Sequence, residues 1–259
     1  MQTQIQYIAS LPMFSQHAKI DAVPAGIVND AYKVTENDQT FMVKFLPHKD
    51  VGQTPRTDIF AMQKELAKRD LAVEPVYYDD TQDIWVEHWC VHPVFSASDV
   101  VDEDGIMQLA KVSSTLHNLK LDAPQIDIVG AWRRYLDKVP QARRAELSVQ
   151  VDAFEAKMRR YATQHLALCH HDLSIGHLTR PPHTVIFDWE YAGVNNRYFD
   201  LASTILINQM NGQCAEQFIQ HYAAYHGDDV SDVRNQIALL EPCVSLTYLL
   251  WMMAEPHRA

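Results

Sequence analysis

The chain has 259 residues, of which 47% are hydrophobic and 21% charged, as expected for one large domain or two small lobes that share a cleft. The 33 acidic residues outnumber the 22 basic ones and give a net charge of −11. This excludes a non-specific nucleic-acid-binding protein, which needs a basic face, and it suits a cationic small-molecule substrate. No segment approaches the roughly 20 apolar residues of a membrane span, and the N-terminus lacks signal-peptide features, so we predict no membrane span and a cytoplasmic location.

The first 90 residues are rich in strand patterns. Residues 30–46 contain two β-like runs joined by the polar turn ENDQ. Residues 57–70 place apolar side chains on one helical face, and residues 73–93 contain two further strand patterns around an acidic turn. The order predicts a β-β-α-β-β unit, which is a small antiparallel sheet with one helix.

The pattern becomes helical after Pro93. Residues 103–119, 131–139 and 148–165 have helical spacing. A loop and a short β-pair, interrupted by RPPH, follow between residues 168 and 191. From residue 199 the chain is helical again, and Pro242 is expected to bend or divide the last segment.

Three residues carry candidate chemistry. Lys44 lies on a predicted strand, from which its amine can reach phosphate oxygens. Asp172 lies in a loop, and Asp188 ends the apolar run VIF sixteen residues later. Two such carboxylates at one rim suit Mg²⁺ bound to phosphates, or separate roles as base and metal ligand.

Four segments resemble motifs of the choline/ethanolamine kinase, thiamine kinase and aminoglycoside phosphotransferase superfamily. HHDLSIGHL (170–178) resembles its HxDLxxxN loop, and FDWEYAGVNNRYFDLA (187–202) resembles its (I/F)DWEYAG…FDLA segment. PAGIVNDAYKV (24–34) is similar to its nucleotide loop, and VSSTLHNL (112–119) to its LLxxLH helix. The resemblance implies an α+β, protein-kinase-like bilobal fold. In it a small β-rich N-lobe with one main helix (residues 1–88) binds the nucleotide, and a larger helical C-lobe (89–259) carries the catalytic loop and substrate pocket.

The resemblance also implies roles for residues, with ATP and Mg²⁺ as cofactors. Asp172 would act as the base or orient the substrate hydroxyl, Lys44 would pair with the α- and β-phosphates, and Asp188 would hold Mg²⁺. The remaining roles are a structural one for His170, backbone contacts to adenine near Glu87, His88 and Trp89, and backbone N–H groups over the phosphates from Gly26 to Asn29.

Two positions depart from the family pattern. His177 stands where the family has an asparagine metal ligand. Imidazole binds Mn²⁺ or Zn²⁺ better than Mg²⁺, so His177 predicts a changed metal preference, weakened activity or a nucleotide-binding pseudokinase. The acidic partner of Lys44 is also open: Asp58 is favoured, and Glu65 lies one or two turns further along the helix.

The substrate side contains aromatic and acidic candidates. Tyr248 and Trp251 are three apart on the last helix and resemble the aromatic pair of the choline kinases, which have tryptophan at the position of Tyr248. Such a pair holds a quaternary ammonium by cation–π contacts; the alternative is that both are core residues. Glu190 adds negative charge nearby. Asp200 is expected to cap or brace the helix that follows it, and Arg197 to pair with one of these acids.

We therefore predict an ATP-dependent phosphotransferase that acts on a hydroxyl of a small cationic alcohol of the choline, ethanolamine or thiamine type. The alternatives are a pseudokinase and an aminoglycoside or sugar kinase of the same superfamily. A metal hydrolase is disfavoured, because adjacent histidines in a regular element do not readily bind one ion; its ligands would be Cys169, His170, His171 and His177. The four cysteines form no CxxC pair and are expected to be small buried side chains rather than disulfides.

Overall fold

The N-terminal part of the computed structural model is a five-stranded antiparallel sheet. The structure describes residues 2–23, 30–46, 54–96 and 102–254, so the predicted phosphate-covering residues Gly26 and Asn29 lie outside the described residues. The strands are β1 (Lys19–Val23), β2 (Asp30–Glu36), β3 (Gln39–Phe45), β4 (Pro75–Asp79) and β5 (Ile84–His88), in the order β1-β2-β3-β5-β4. The ENDQ turn joins β2 to β3 as predicted. Asn37 and Asp38 in this turn have positive φ angles of 47° and 64°, which asparagine and aspartate tolerate better than other non-glycine residues.

The two faces of the sheet have different partners. On one face Tyr32, Val34, Phe41 and Val43 pack with Ile8 from helix α1 (Gln2–Ile8). The sequence predicted neither α1 nor β1. The opposite face carries Lys44 and its cross-strand neighbours, since Met42 pairs with Glu87 and Lys44 with Trp85. Helix α2 (Arg56–Ala67) lies against this second face, where Phe60 contacts Trp85.

The rest of the chain is mainly helical, which confirms the predicted α+β class. The helices are α3 (Glu103–Asn118), α4 (Ile128–Lys138), α5 (Gln141–Tyr161), α6 (Arg197–Ile207), α7 (Gly212–His226) and α8 (Val230–Ala254). Their core contains fully buried Trp132, Phe199, Phe218 and Tyr222. All four cysteines are free as expected; Cys90 is half-buried and the other three are buried.

Helix α8 has two features that the sequence patterns did not indicate. It runs without a break through Pro242, whereas the sequence predicted a bend or division there. By length and composition α8 is also apolar enough to cross a membrane, although no run of about 20 apolar residues marks it in the sequence. Core helices of soluble proteins meet the same criterion, and Leu240, Leu246 and Leu250 of α8 are buried in the helical core.

Candidate active site

A short two-stranded sheet positions the loop that carries Asp172. Strand β6 (Leu166–Cys169) pairs with β7 (Gly193–Asn196), and the chain leaves β6 directly into His170, His171 and Asp172. His171 has a φ of 64°, which turns the chain sharply. The N–H of His171 donates to Oδ1 of Asp200 at 2.6 Å, and this bond fixes the turn just before Asp172.

His170 connects the loop to the segment before Asp188. It is fully buried, and its Nε2 lies 2.8 Å from the carbonyl oxygen of Phe187. Burial lowers the pKa of His170 to about 4, so the ring is neutral near pH 7. Nε2–H therefore donates to Phe187, and Nδ1 accepts the backbone N–H of Asp172 at 3.3 Å. This position agrees with the structural role that the sequence suggested.

A narrow hairpin brings Asp188 beside Asp172. The N–H of Phe187 donates to the carbonyl of His177 at 2.9 Å, and a single antiparallel bridge joins Leu178 to Ile186, which confirms the predicted short β-pair. Asp188 then takes a left-handed conformation with a φ of 63°. The two carboxylates consequently flank the open end of the hairpin.

Asp172, His177 and Asp188 form one cluster, and each offers a ligand atom within 4.8 Å of the others. His177 Nδ1 lies 2.9 Å from the backbone oxygen of Asp172, while its Nε2 lies 3.8 Å from Oδ2 of Asp188. The three side chains are only about a third exposed or less, at 32%, 25% and 35% respectively. Burial raises the pKa of Asp172 to about 6; His177 opposes this rise and the charge of Asp188 adds to it.

The counter-ion of Lys44 is Glu87, so both predicted partners were wrong. Nζ of Lys44 lies 3.0 Å from Oε1 of Glu87, its neighbour on β5. Asp58 is exposed, and Glu65 pairs with Lys68 and Arg69 on its own helix. Burial would lower the pKa of Lys44, but the charges of Glu87 and, further away, of Asp188 and Glu190 raise it above its ordinary value. Lys44 thus lies within the field of both Asp188 and Glu190.

The segment predicted to contact adenine has two of its N–H groups occupied. The N–H of His88 donates to the carbonyl of Glu74 at 3.0 Å, and the N–H of Trp89 donates to the carbonyl of Thr40 at 2.8 Å. The Trp89 ring lies under the amine of Lys33, which is 4.6 Å from the ring centroid. A base bound by His88 and Trp89 would therefore contact their carbonyl oxygens or the Trp89 ring.

The aromatic pair of α8 lies near the Asp188 segment. The rings of Tyr248 and Trp251 are stacked, with centroids 5.9 Å apart. Nε1 of Trp251 donates to the hydroxyl of Tyr191 at 3.1 Å, and Tyr191 is three residues after Asp188. Tyr248 is 42% exposed, which is inconsistent with the alternative that it is a core residue.

Asp200 and Arg197 have other partners than the sequence indicated. Asp200 is fully buried inside α6, and Asn196 caps that helix instead. His117 of the VSSTLHNL motif, whose role the sequence left unassigned, places its Nε2 2.9 Å from Oδ2 of Asp200. Arg197 pairs with Asp228 rather than with Glu190 or Asp200.

One further loop contact was missed because it comes from a distant helix end. The side chain of Asn208 accepts the N–H of Ile175 at 2.9 Å and donates to the carbonyl of Leu173 at 2.8 Å. It therefore holds both sides of the turn after Asp172. No motif marks Asn208 in the sequence.

Comparison with known proteins finds similar sequences and similar folds. The model of the phosphotransferase enzyme family (APH) matches residues 19–234. A LicA homolog from Mycoplasma capricolum is 25% identical over 166 residues, which are 60% of this chain and 63% of that protein, so the chain spans less than two thirds of that relative. Ethanolamine kinase from Plasmodium vivax has a TM-score of 0.78 at 15% identity, with 98% of this chain and 80% of that chain covered.

A second solved structure, choline kinase LicA from Streptococcus pneumoniae, has a TM-score of 0.74 at 18% identity, with 98% of this chain and 90% of that chain covered. At such identities the likeness concerns the fold. It confirms the predicted protein-kinase-like architecture.

Proposed function

Because the chain belongs to the phosphotransferase enzyme family, we propose that it transfers the terminal phosphoryl group of ATP to a hydroxyl of a small cationic alcohol. The family implies the use of ATP and a divalent metal ion. The acceptor class, of choline, ethanolamine or thiamine type, is part of the proposal. The proposal also includes a cytoplasmic location and the division of the chain into a nucleotide lobe (residues 1–88) and a catalytic lobe (residues 89–259).

The observation that carries the proposal is that Asp172, His177 and Asp188 meet at one rim, and that Lys44 lies near enough for the charge of Asp188 to raise its pKa. Phosphoryl transfer needs little covalent chemistry from a protein, and it depends on positioning and on neutralising phosphate charge. Asp172 would orient the acceptor hydroxyl and take its proton. Lys44 would hold phosphate oxygens, and its buried ion pair with Glu87 keeps the amine charged.

The cluster fits a divalent cation. His177 Nδ1–H donates to the Asp172 carbonyl, so Nε2 is the ring nitrogen that can bind a cation, and it lies 3.8 Å from the Asp188 carboxylate. That distance is too long for a hydrogen bond, whereas two ligands that each lie about 2.1 Å from one ion are about 3–4 Å apart. Metal-binding histidines commonly donate their other ring N–H to a carbonyl in this way. When bound, the cation supplies positive charge to the phosphate oxygens.

We assign Asp188 and His177 as its ligands, and we expect tighter binding of Mn²⁺ than of Mg²⁺, because an imidazole nitrogen is a poor magnesium ligand. The measurement is electron spin-echo modulation of Mn²⁺ bound with ATP. The wild-type protein should show a directly bonded nitrogen that the His177→Asn variant lacks. An identical nitrogen signal in both proteins would show that His177 is not a ligand. A wild-type protein without a nitrogen signal would show the same.

The test of the function is ADP release from ATP with Mg²⁺ or Mn²⁺ across choline, ethanolamine, thiamine and aminoglycosides. We expect one cationic alcohol to stimulate release, and the Asp172→Asn variant to lose turnover while it still binds ATP. The matched control is Asp152→Asn, which changes an exposed carboxylate on α5. Retained turnover in Asp172→Asn would contradict the role of this residue.

The same assay distinguishes the two alternatives. Stimulation only by aminoglycosides would indicate the aminoglycoside or sugar kinase. ATP binding without ADP release for every acceptor in the panel would indicate the pseudokinase or an acceptor outside the panel, and the His177→Asn variant would separate the two. The observation that favours a pseudokinase is His177 at the position where the family has asparagine, so His177→Asn is the variant that should then gain turnover.

A further inference from the structure

The carboxylate of Glu87 receives hydrogen bonds from three side chains. Lys44 donates to Oε1 at 3.0 Å, and Trp85 and Gln63 donate to Oε2 at 3.1 Å and 2.9 Å. Glu87 is only 5% exposed. A buried carboxylate is strongly disfavoured unless its charge and its oxygens are satisfied, and here they are. The arrangement is therefore a complete buried ion pair.

The position of Glu87 distinguishes it from the lysine partner of protein kinases. In those enzymes the partner is a glutamate on the main helix of the N-lobe, and the location of that helix controls the lysine. Here Glu87 is on β5, and it is the register partner of Met42 on the strand that carries Lys44. Adjacent strands are fixed by their ladder, so the ion pair does not depend on where α2 lies.

Helix α2 contributes an amide to the same cluster. Nε2 of Gln63 donates both to Glu87 and to the carbonyl of Val73 at 2.8 Å. Gln63 and Lys44 thus bond to the two oxygens of the same carboxylate, so a carboxylate at position 63 would lie near the Lys44 amine.

Without Glu87, Lys44 would have other acidic neighbours. Asp188 and Glu190 also act on its charge. An amine that moved towards those carboxylates would leave the position from which we propose that it contacts the phosphates. Glu87 therefore has a function besides compensating a buried charge.

We propose that Glu87 is the positioning residue of Lys44, and that a carboxylate at position 63 can replace it. This inference rests on the proposed function for its turnover measurement. The variants are Glu87→Gln, the double variant Glu87→Gln/Gln63→Glu, and Glu65→Gln as a control that removes a carboxylate from the outer side of α2.

We expect kcat of Glu87→Gln to fall by about tenfold or more, as when one preorganised charge is misplaced in an active site. The ratio of ATP affinity to adenosine affinity should fall by about fivefold, because only the phosphates contact Lys44.

The double variant should regain both the kcat and the affinity ratio. It should not regain full thermal stability, because a carboxylate at position 63 cannot donate to the Val73 carbonyl as the amide of Gln63 does. A merely structural role for Glu87 would instead make activity follow stability. Glu65→Gln should match the wild type.

Wild-type kcat and affinity ratio in Glu87→Gln would overturn the proposal. A double variant that stays at the level of Glu87→Gln would overturn the exchange with position 63. The affinity ratio needs no turnover, so it separates this inference from the proposed function. If the wild type releases no ADP but the ratio falls and returns as described, the phosphotransferase proposal fails and the role of Glu87 stands.

Discussion

Replacement of Asp200 by asparagine should uncouple the loop of Asp172 from the helical core. One oxygen of Asp200 accepts the N–H of His171 at 2.6 Å, and the other lies 2.9 Å from Nε2 of His117. Nδ1 of His117 lies 2.9 Å from the hydroxyl of Tyr222, which also accepts from Arg197. Because an ionised carboxylate can only accept, Nε2–H of His117 donates to Asp200. Asparagine has one acceptor oxygen for these two donors.

The size of the effect follows from the ionisation of Asp200. Burial would raise its pKa, but the bonds from His117 and the His171 amide hold it at about 2. Because the pKa is about 3.9 in an unfolded chain, the ionised form adds about 2–3 kcal/mol to the free energy of unfolding at pH 7. For a chain of this size that corresponds to a decrease of about 5–10 °C in Tm. The folded-state pKa is depressed, so this contribution is complete above about pH 5 and is lost as the pH falls towards 2.

The assay is urea unfolding of the wild type and Asp200→Asn at pH 7, 5, 4 and 3. Other acidic groups titrate in both proteins, so the difference between the two free energies isolates Asp200. We expect this difference to be about 2–3 kcal/mol at pH 7 and about half of that at pH 3. A difference that stays the same at every pH would refute the assignment of a buried, ionised Asp200. An unchanged kcat would refute its link to the Asp172 loop.

Two further predictions concern the substrate side and the packing of β7. Leucine at Tyr248 and Trp251 should raise KM for a cationic acceptor by about 30-fold, since two cation–π contacts of about 1 kcal/mol each are lost, while KM for ATP stays within about twofold. Equal changes in both KM values would indicate a purely structural pair. Gly193→Ala should lower the free energy of unfolding by about 1–3 kcal/mol, because its Cβ would lie 2.6 Å from the Pro124 oxygen. Gly212→Ala, with no atom within 4 Å of the new Cβ, is the matched control and should be neutral or stabilising; equal losses in urea unfolding would contradict the packing argument.

Periodic patterns predicted most of the fold, and the exceptions are segments with little periodicity. The strands in residues 30–46 and the helix beginning at Glu103 have clear alternation or helical spacing, and both are confirmed. Strand β1 has no buried residue, so alternation could not mark it. Helix α1 has seven residues, with Ile5 and Ile8 as its aliphatic ones. Helix α1 forms against one face of the sheet, and β1 forms at its edge by pairing with β2, so both depend on tertiary contacts.

The sequence motifs predicted the part of the candidate site whose residues are close together along the chain. Asp172, His177 and Asp188 belong to one loop and the hairpin that follows it, so the stretch 172–188 suffices to place them together. The bracing contacts of His117 and Asn208 join residues more than thirty positions apart. Neither the spacing of these residues nor their chemistry indicates which partner each one finds.

The counter-ion of Lys44 could not be predicted from spacing along the chain either. The sequence analysis placed the acidic partner of Lys44 on the helix, as in the family, and Asp58 and Glu65 are the acidic candidates there. Had β3 been placed beside β5, alternation would have put Glu87 on the face of Lys44, since Met42 and Glu87 are register partners. The strand order β3-β5-β4 was not predictable from the pattern of either strand. An acid on β5 can give Lys44 the same counter-charge as an acid on the helix, although the sequence motif is then different. Such a counter-ion is found from the strand register and not from spacing along the chain.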